Sequence, residues 1–189
     1  LRDVVKKATE QGISFDKFKD PTSGKVELIC LFYAGRGQAT EDPNDPLYEN
    51  YIWPQEQDIE ENIEGTHFNS FFVGNELDHY GKLMGMGIFC HELGHALGLP
   101  DFYNTNPYVT LPRNPFGFWS IMDAGPYVNR ANAPIGYTAY ERSYLGWLKI
   151  KELTEPETVK LDPVSNKEGQ LAAIVRSPNS RLEYFILEN

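Results

Sequence analysis

The fold of this chain is decided by one stretch of its sequence, His91-Glu92-Leu93-Gly94-His95-Ala96-Leu97-Gly98-Leu99-Pro100-Asp101. On a helix, His91 and His95 lie about one turn apart on the same face, where two imidazoles can bind a single Zn²⁺ ion. Glu92 lies beside them and can reach a water molecule on that ion. The stretch therefore predicts a helix that carries two metal ligands and a general base.

The third ligand is predicted from the turn that follows this helix. Gly98 tolerates backbone angles that a Cβ would forbid, so the chain can turn sharply and bring Asp101 back as an oxygen ligand. Glu141 is an alternative, but its neighbours look like a core-packing face and Gly98 would then have no evident purpose. We expect His67 and His79, which precede the helix, at the surface or in a substrate cleft. The predicted metal ligands are therefore His91, His95 and Asp101, with one position left open.

The helix itself is predicted to run from about Lys82 to Leu97. At about 100° per residue, the two histidines share one side with Ile88 and Met84. The opposite side is predicted to be the buried one, and it carries Met86, Phe89, Cys90, Leu93 and Leu97. A glycine inside a helix costs about 1 kcal/mol relative to alanine, so we expect a packing reason for Gly94.

A second informative segment follows, Phe118-Trp119-Ser120-Ile121-Met122-Asp123-Ala124-Gly125. By itself, this apolar run is typical of a core strand that ends in a turn. Next to a zinc motif it resembles the Met-turn of metzincin proteases, in which a methionine packs beneath the metal-binding histidines. Met122 is the only methionine after the helix, which makes it the single candidate for that position.

Several segments carry a family resemblance, and they occur in a fixed order along the chain. They are Leu31-Phe32-Tyr33-Ala34-Gly35-Arg36-Gly37-Gln38, the zinc motif with Leu99-Pro100-Asp101-Phe102-Tyr103, the Met122 segment, Tyr140-Glu141-Arg142-Ser143-Tyr144-Leu145-Gly146-Trp147-Leu148 and Glu183-Tyr184-Phe185-Ile186-Leu187-Glu188-Asn189. Together they resemble the M6 peptidases, the family of immune inhibitor A. The zinc motif is the most specific part of the resemblance, and the outer segments are weaker.

The resemblance implies a fold and an activity. The implied fold is α+β and metzincin-like: a mixed sheet, a central active-site helix and a Met-turn, followed by a short β segment. The implied activity is that of a secreted, extracellular bacterial zinc endopeptidase, which acts on protein or peptide substrates and is made as a precursor with a propeptide. We accordingly predict a zinc metalloprotease catalytic domain over 1–150 and the start of a C-terminal β-rich segment over 151–189.

The predicted site also implies a mechanism. Zinc lowers the pKa of a bound water to about 7, and Glu92 can take its proton and then deliver it to the leaving amine. Related metzincins often place a tyrosine two residues after the methionine, but that position is Ala124 here, and Tyr127 and Tyr137 remain alternatives. Two other classes of function stay open: a zinc-binding module that does no chemistry, and a structural zinc domain with a fourth protein ligand.

Calcium is a second candidate cofactor. Many relatives carry an Asp-rich loop suited to Ca²⁺ where this chain has residues 15–27, and calcium needs six to eight oxygen ligands. Lys19, Pro21 and Ser23 stand where acidic residues would be expected, which argues against a site in this loop. Two other acidic clusters could bind a cation, although such clusters are typical of solvated loops. They are Glu41, Asp42 and Asp45, and Asp58, Glu60 and Glu61.

Composition narrows the partners. The formal net charge of −10 argues against nucleic acid, since binding to phosphates needs basic patches. No apolar run approaches the ~20 residues that cross a bilayer, so no membrane partner is expected, and we expect a monomer. Because the chain begins at Leu1 and stops inside a strand-like segment, we interpret it as an excised piece of a longer secreted precursor.

Cys30 and Cys90 are interpreted as small buried hydrophobic residues, with a disulfide between them as the alternative.

The remaining elements are predicted from hydrophobic patterning and turn residues. We predict helices over 1–10 and 138–148, and strands over 26–34, 67–73, 159–161, 171–175 and 183–187, the second of these at a sheet edge. The polar segment 36–66 is predicted to be a surface loop, and 112–132 a loop system around Met122.

Overall fold

Helices and sheets alternate along the chain in the computed structural model, which describes residues 1–189. The helices are α1 (Arg2–Glu10), α2 (Gly87–Ala96) and α3 (Ala139–Tyr144). The strands are β1 (Val26–Arg36), β2 (Gln55–Ile63), β3 (Thr66–Leu77), β4 (Lys151–Glu152), β5 (Ala172–Arg176) and β6 (Tyr184–Glu188). They form two mixed three-stranded sheets, which confirms the predicted combination of helices with mixed sheet.

The first sheet supports the helix that carries the zinc motif. Its strand order is β1-β3-β2: β1 and β3 run parallel with Val26 opposite Phe68, and β2 and β3 run antiparallel with Gln55 opposite Val73. The predicted edge position of 67–73 is therefore wrong, because β3 is the central strand. Alternate side chains of β3 are buried, as expected for a strand that packs one face of its sheet against the core.

β1 and β2 are the two edge strands, and β2 lies inside the segment predicted to be a surface loop. Its sequence is mostly charged and amidic, and only Ile59 and Ile63 mark the side that faces the core. Charged residues of this kind are common on edge strands, where they discourage pairing with other chains. Glu64 and Gly65 join β2 to β3 with φ angles of 49° and 80°, the conformation of a two-residue hairpin turn. The polar composition of β2 is therefore typical of a loop, although the tight turn at Glu64 and Gly65 indicates a hairpin strand before it.

The first core cluster lies at the end of this sheet where β1 and β3 begin and β2 ends. It joins Val5 of α1 to Val26, Ile63 and Phe68, one residue from each strand. Phe15 closes the cluster with its ring edge-on to Phe68 at 5.3 Å between ring centroids. The predicted amphipathic helix at the start of the chain is confirmed, since α1 buries Val5 completely.

Helix α2 is shorter than predicted and is buried on a different side. It begins at Gly87 rather than Lys82, and the backbone N–H of Gly87 donates to Ala131 O at 2.9 Å. The buried residues are Gly87, Ile88, His91, Glu92 and Gly94. These belong to the side of the histidines, because β2, β3 and the turn Gly125–Tyr127 pack around α2. On the side predicted to be buried, Met86 is 63% exposed and Leu97 is 41% exposed.

The second sheet follows α3 and has the order β4-β5-β6. The strands predicted near 171–175 and 183–187 correspond to β5 and β6, whereas 159–161 forms no strand and β4 is unpredicted. α3 contacts β6, and the backbone N–H of Ala139 donates to Glu188 Oε2 at 2.5 Å. The division into domains at 150 and 151 stays a prediction.

Helix α3 is short, with six residues, and its first turn is fixed by side-chain caps. Thr138 and Glu141 form a capping box, in which each side chain accepts a hydrogen bond from the other residue's backbone N–H. The helix ends at Tyr144, before Gly146 adopts a φ of 74°, so the predicted extension to residue 148 is wrong.

Both cysteines are free, and the alternative of a disulfide does not hold. Cys90 is half-buried on α2, but Cys30 is exposed on β1, so its interpretation as a buried residue is wrong. The reason is that side chains of β1 alternate between the two faces of the sheet, and Cys30 lies on the more exposed face. None of the helices combines the length and the apolar character needed to span a membrane.

Candidate metal centre

Three side chains meet at one point above the middle of α2. His91 Nε2 and His95 Nε2 are 3.2 Å apart, and Asp101 Oδ1 lies 3.2 Å from the first nitrogen and 3.1 Å from the second. The helix places the two imidazoles one turn apart on one face. Gly98, with a φ of 94°, then turns the chain so that Asp101 returns to them.

The protons of both imidazoles are positioned by backbone carbonyls. His91 Nδ1 lies 2.8 Å from Ile121 O, and His95 Nδ1 lies 2.8 Å from Leu99 O. Because a carbonyl oxygen can only accept, each Nδ1 must carry a proton, and each neutral ring then presents the lone pair of Nε2. Carbonyls in this position are typical of the outer contacts that orient metal-bound histidines.

Lone pairs that face one another at this distance need a cation between them. Asp101 Oδ1 is buried and faces the two Nε2 atoms, so three electron-rich atoms converge when both imidazoles are neutral. A proton on His95 Nε2 is stabilised by its hydrogen bond to Asp101, which raises the pKa of His95 to about 8 and shows that a positive charge is favoured at this point. Burial works to raise the pKa of Asp101, yet the hydrogen bonds and charges of both histidines bring it well below its usual range. The residues therefore fit a metal cation, and two nitrogens with one carboxylate are a donor set that suits zinc.

Glu92 lies next to the three ligand atoms but does not belong to their cluster. Its side chain is largely buried, and its Oε2 accepts a hydrogen bond of 2.7 Å from the backbone N–H of Glu56 on β2. Burial raises the pKa of Glu92, with the two histidine charges opposing the shift. The edge strand thus holds one oxygen of the candidate base, a contact that sequence reasoning missed.

Met122 lies directly beneath the helix. It is fully buried with Leu99 and Ile121, and a Cβ on Gly94 would overlap its sulfur. The expected packing reason for Gly94 is therefore confirmed. The same segment supplies Ile121 O to His91, so it supports both the helix and one of the imidazoles.

The alternative ligands are occupied elsewhere. Glu141 is fully buried and accepts hydrogen bonds from Ser120 Oγ at 2.7 Å and from the Thr138 N–H at 2.5 Å. His67 lies 2.9 Å from Glu60, and the ring of His79 packs against Tyr80. None of the three contributes to the cluster of His91, His95 and Asp101.

Three tyrosines lie around the centre, and they differ in position. Tyr137 donates to Cys90 O at 2.7 Å and packs under α2, which commits its hydroxyl to the backbone. Tyr127 and Tyr103 both line the cleft beside His91, and Tyr103 stacks on that ring at 6.3 Å. Burial raises the pKa of both Tyr103 and Tyr127. Tyr103 was missed by sequence reasoning, although it stands two residues after Asp101.

The acidic clusters considered for calcium differ in their contacts. Glu60 lies 2.6 Å from Lys25 Nζ, and Glu61 lies 2.5 Å from the Arg2 guanidinium. Asp42 accepts hydrogen bonds from the backbone and side chain of Asn44, as in a solvated turn. Calcium binding therefore stays a prediction, without a clustered carboxylate set to support it.

The cleft in front of the centre has a volume of about 500 Å³. It runs past the imidazole of His91 and the carboxylate of Glu92. Its walls are formed by Ala39, Trp53, Pro54, Ile88, Tyr103, Arg113, Asn114, Phe118, Asp123, Ala124, Pro126 and Tyr127. A mostly apolar cleft with a few polar groups beside a metal-ligating cluster is the usual form of an active site.

A mixed-sheet domain whose helix holds two histidines, an adjacent glutamate and a returning aspartate has the site of a metallopeptidase. The model of the family described as "Immune inhibitor A peptidase M6, catalytic domain" matches residues 18–149. The chain belongs to this M6 peptidase family, and the predicted resemblance is confirmed.

Two curated relatives are similar to this chain and much longer than it. Immune inhibitor A of Bacillus thuringiensis subsp. alesti is 24% identical over 182 residues, which cover 81% of this chain and 26% of the relative. The pre-pro-metalloprotease PrtV of Vibrio cholerae serotype O1 is 24% identical over 188 residues, which cover 88% of this chain and 20% of the relative. The chain thus spans about a quarter to a fifth of their length.

Proposed function

We propose that this chain is the catalytic domain of a zinc-dependent endopeptidase, with His91, His95 and Asp101 as the metal ligands. The observation that carries the proposal is the convergence of the two Nε2 atoms and Asp101 Oδ1, each 3.1–3.2 Å from the others. Both imidazoles present Nε2 to this point, and the cleft runs past His91 and Glu92. This geometry suits a metal with three protein ligands and one open position.

Each residue of the site then has a distinct role. Bound zinc would supply Lewis acidity, which lowers the pKa of water and polarises the scissile carbonyl. Glu92 accepts the proton of the attacking water and passes it to the leaving amine. The Glu56 N–H holds Oε2 of Glu92, so Oε1 is the oxygen free to move the proton. Ile121 O and Leu99 O keep both imidazoles oriented throughout.

The surrounding architecture supports a metzincin-type arrangement. The antiparallel edge strand β2 lies over α2, and Met122 lies under it, with the segment around Met122 bonded to His91. We therefore propose that residues 120–125 are the Met-turn. Between the two tyrosines considered, Tyr127 is the proposed oxyanion partner, because it lines the cleft whereas the hydroxyl of Tyr137 is bonded to Cys90 O.

The substrates and cellular location belong to the same proposal. A peptidase family and a protease cleft imply protein or peptide substrates. Because a relative is described as a pre-pro-metalloprotease, we propose a secreted, extracellular bacterial enzyme made with a propeptide. The proposal also keeps the expectation of a monomer.

Metal content tests the ligand assignment directly. Zinc per chain is measured after dialysis for the wild type and for His95→Ala and Asp101→Asn, with circular dichroism as a check of folding. His67→Ala is the matched control, since His67 pairs with Glu60 at a distance from the centre. We expect one zinc in the wild type and the control, and loss of zinc with loss of casein hydrolysis in the two ligand variants. An Asp101→Asn chain that holds zinc as tightly as the wild type would refute the third ligand.

A further inference from the structure

One wall of the cleft carries a cation with no acidic partner. Arg113 lines the cleft together with His91 and Glu92, yet it takes part in none of the ion pairs of the chain. A guanidinium presents five donors in a planar fork that matches a carboxylate. An unpaired arginine beside a reaction centre is therefore available to an acidic ligand.

The nearby carboxylate of Asp123 does not compete for this arginine. Its Oδ1 accepts from Asn114 Nδ2 at 2.6 Å, and its Oδ2 accepts from the N–H groups of Phe116 and Gly117 at 2.8 and 2.9 Å. These three donors hold the segment that follows Arg113 in place. Asp123 thus acts as a structural anchor of the cleft wall.

The backbone of Arg113 is anchored from the other side as well. Its carbonyl accepts a hydrogen bond of 2.7 Å from the N–H of Asn104, which directly follows the Tyr103 that stacks on His91. The position of the arginine is therefore coupled to the loop that leaves the metal ligand Asp101. A fixed backbone lowers the entropy cost of ordering this loop on binding.

The charge of the whole chain makes this local cation important. With a formal net charge of −10, the protein repels acidic substrates at long range. The apolar neighbours Trp53, Phe118 and Tyr127 lower the polarity around any carboxylate that reaches the cleft. Both conditions make recognition of an acidic group depend on Arg113.

We propose that Arg113 determines specificity by binding a carboxylate of the substrate close to the scissile bond. This inference rests on the proposed function, since it gives that same cleft its substrate class. The carboxylate has two sources, an Asp or Glu side chain within the chain that is cut or the free C-terminus of a short peptide. The experiment has one arm for each source.

The first arm uses quenched fluorescent peptides with amidated C-termini, in which Glu or its isostere Gln occupies each of three positions on either side of the cleavage site. The second arm uses Gln peptides that end in a free carboxylate one to three residues after that site. Both sets are measured with zinc-loaded wild type, Arg113→Gln and Arg113→Glu. Arg181→Gln is the matched control, because Arg181 is an exposed arginine that forms no ion pair and does not line the cleft.

We expect the wild type and Arg181→Gln to prefer Glu over Gln at one position about tenfold in kcat/KM, a factor typical of one charge-assisted hydrogen bond. The ratio should fall to about one in Arg113→Gln, and Arg113→Glu should favour a Lys peptide. A preference confined to the second arm would assign the carboxylate to the C-terminus. A wild type that cuts all peptides equally, or an Arg113→Gln chain that keeps the wild-type ratio, would overturn the inference.

Binding separates this inference from the proposed function. The same peptides are titrated into Glu92→Ala by fluorescence anisotropy, alone and combined with Arg113→Gln. If no peptide is cut by the wild type but Glu peptides still bind more tightly through Arg113, the peptidase function fails and the carboxylate site stands. If binding shows no charge preference either, the carboxylate site fails as well.

Discussion

At the scale of single residues, two backbone carbonyls fix the tautomer and the orientation of both imidazoles. Ile121 O and Leu99 O each accept a hydrogen bond from an imidazole Nδ1–H, and this directs the lone pairs of His91 and His95 toward Asp101 Oδ1. The convergence of His91, His95 and Asp101 could be predicted from the sequence because their spacing is local, within eleven residues of helix and turn. The hydrogen bond between His91 and the carbonyl of Ile121 could not be predicted in this way, since thirty residues separate the two.

Gly94 offers a test of the packing beneath the helix. Alanine would gain about 1 kcal/mol of helix propensity. Its Cβ would overlap the sulfur of the fully buried Met122, however, and overpacking of this kind costs about 1–3 kcal/mol. The difference between these two effects predicts that Gly94→Ala lowers the free energy of unfolding in urea by up to about 2 kcal/mol.

The control for this substitution is Gly136→Ala. Gly136 has open space where its Cβ would be and no positive φ, so its replacement should change stability by less than about 0.5 kcal/mol. Equal stabilities of the two variants would show that Met122 does not pack tightly against α2.

At the scale of elements, the edge strand β2 links the sheet to the reaction centre. It is the least hydrophobic strand of the first sheet, which is why its polar sequence is typical of a loop. Its backbone nevertheless holds Glu92 through the N–H of Glu56 at 2.7 Å. Hydrophobic patterning finds strands that bury side chains, whereas β2 contributes a backbone donor, so the pattern carries no signal for it.

This link predicts a difference between two substitutions at one position. Glu56→Pro removes the N–H that donates to Glu92, at an edge where proline is tolerated if the N–H does not pair within the sheet. Glu56→Ala keeps that N–H and is the control. We expect kcat of the proline variant to fall about tenfold or more relative to the alanine variant, with zinc content and KM nearly unchanged, because only the position of the base is lost. Equal kcat values would remove β2 from the mechanism.

At the scale of the whole molecule, the centre ties together parts of the chain that are far apart in sequence. It combines α2, the turn after it, the segment around Met122 and the edge strand β2. The α+β class was predictable because helix and strand periodicities are local. The strand order was not, because the central position of β3 depends on β2, which the polar sequence conceals.

A metal at this junction should stabilise the native state as a whole. A ligand present at 1,000 times its Kd contributes about 4 kcal/mol, which corresponds to about 10 °C in Tm for a domain of this size. We expect a chelator to lower the Tm of the wild type by that amount in differential scanning calorimetry. Asp101→Asn should show no chelator effect.

Adding back single metal ions after chelation identifies the metal, because only the bound ion should restore the Tm. If zinc restores the Tm and calcium does not, the stabilising ion is the one bound by the histidines. Recovery with calcium alone would instead support one of the acidic clusters and contradict the zinc assignment.

The most direct test of the account compares the wild type with Glu92→Ala for zinc content and for hydrolysis of unfolded casein. Glu92 lies outside the ligand cluster, so its removal should leave the metal in place and abolish the proton transfer. We predict one zinc per chain in both proteins and casein hydrolysis only in the wild type. Undiminished hydrolysis by Glu92→Ala, or zinc in both proteins with activity in neither, would contradict the proposed catalytic role.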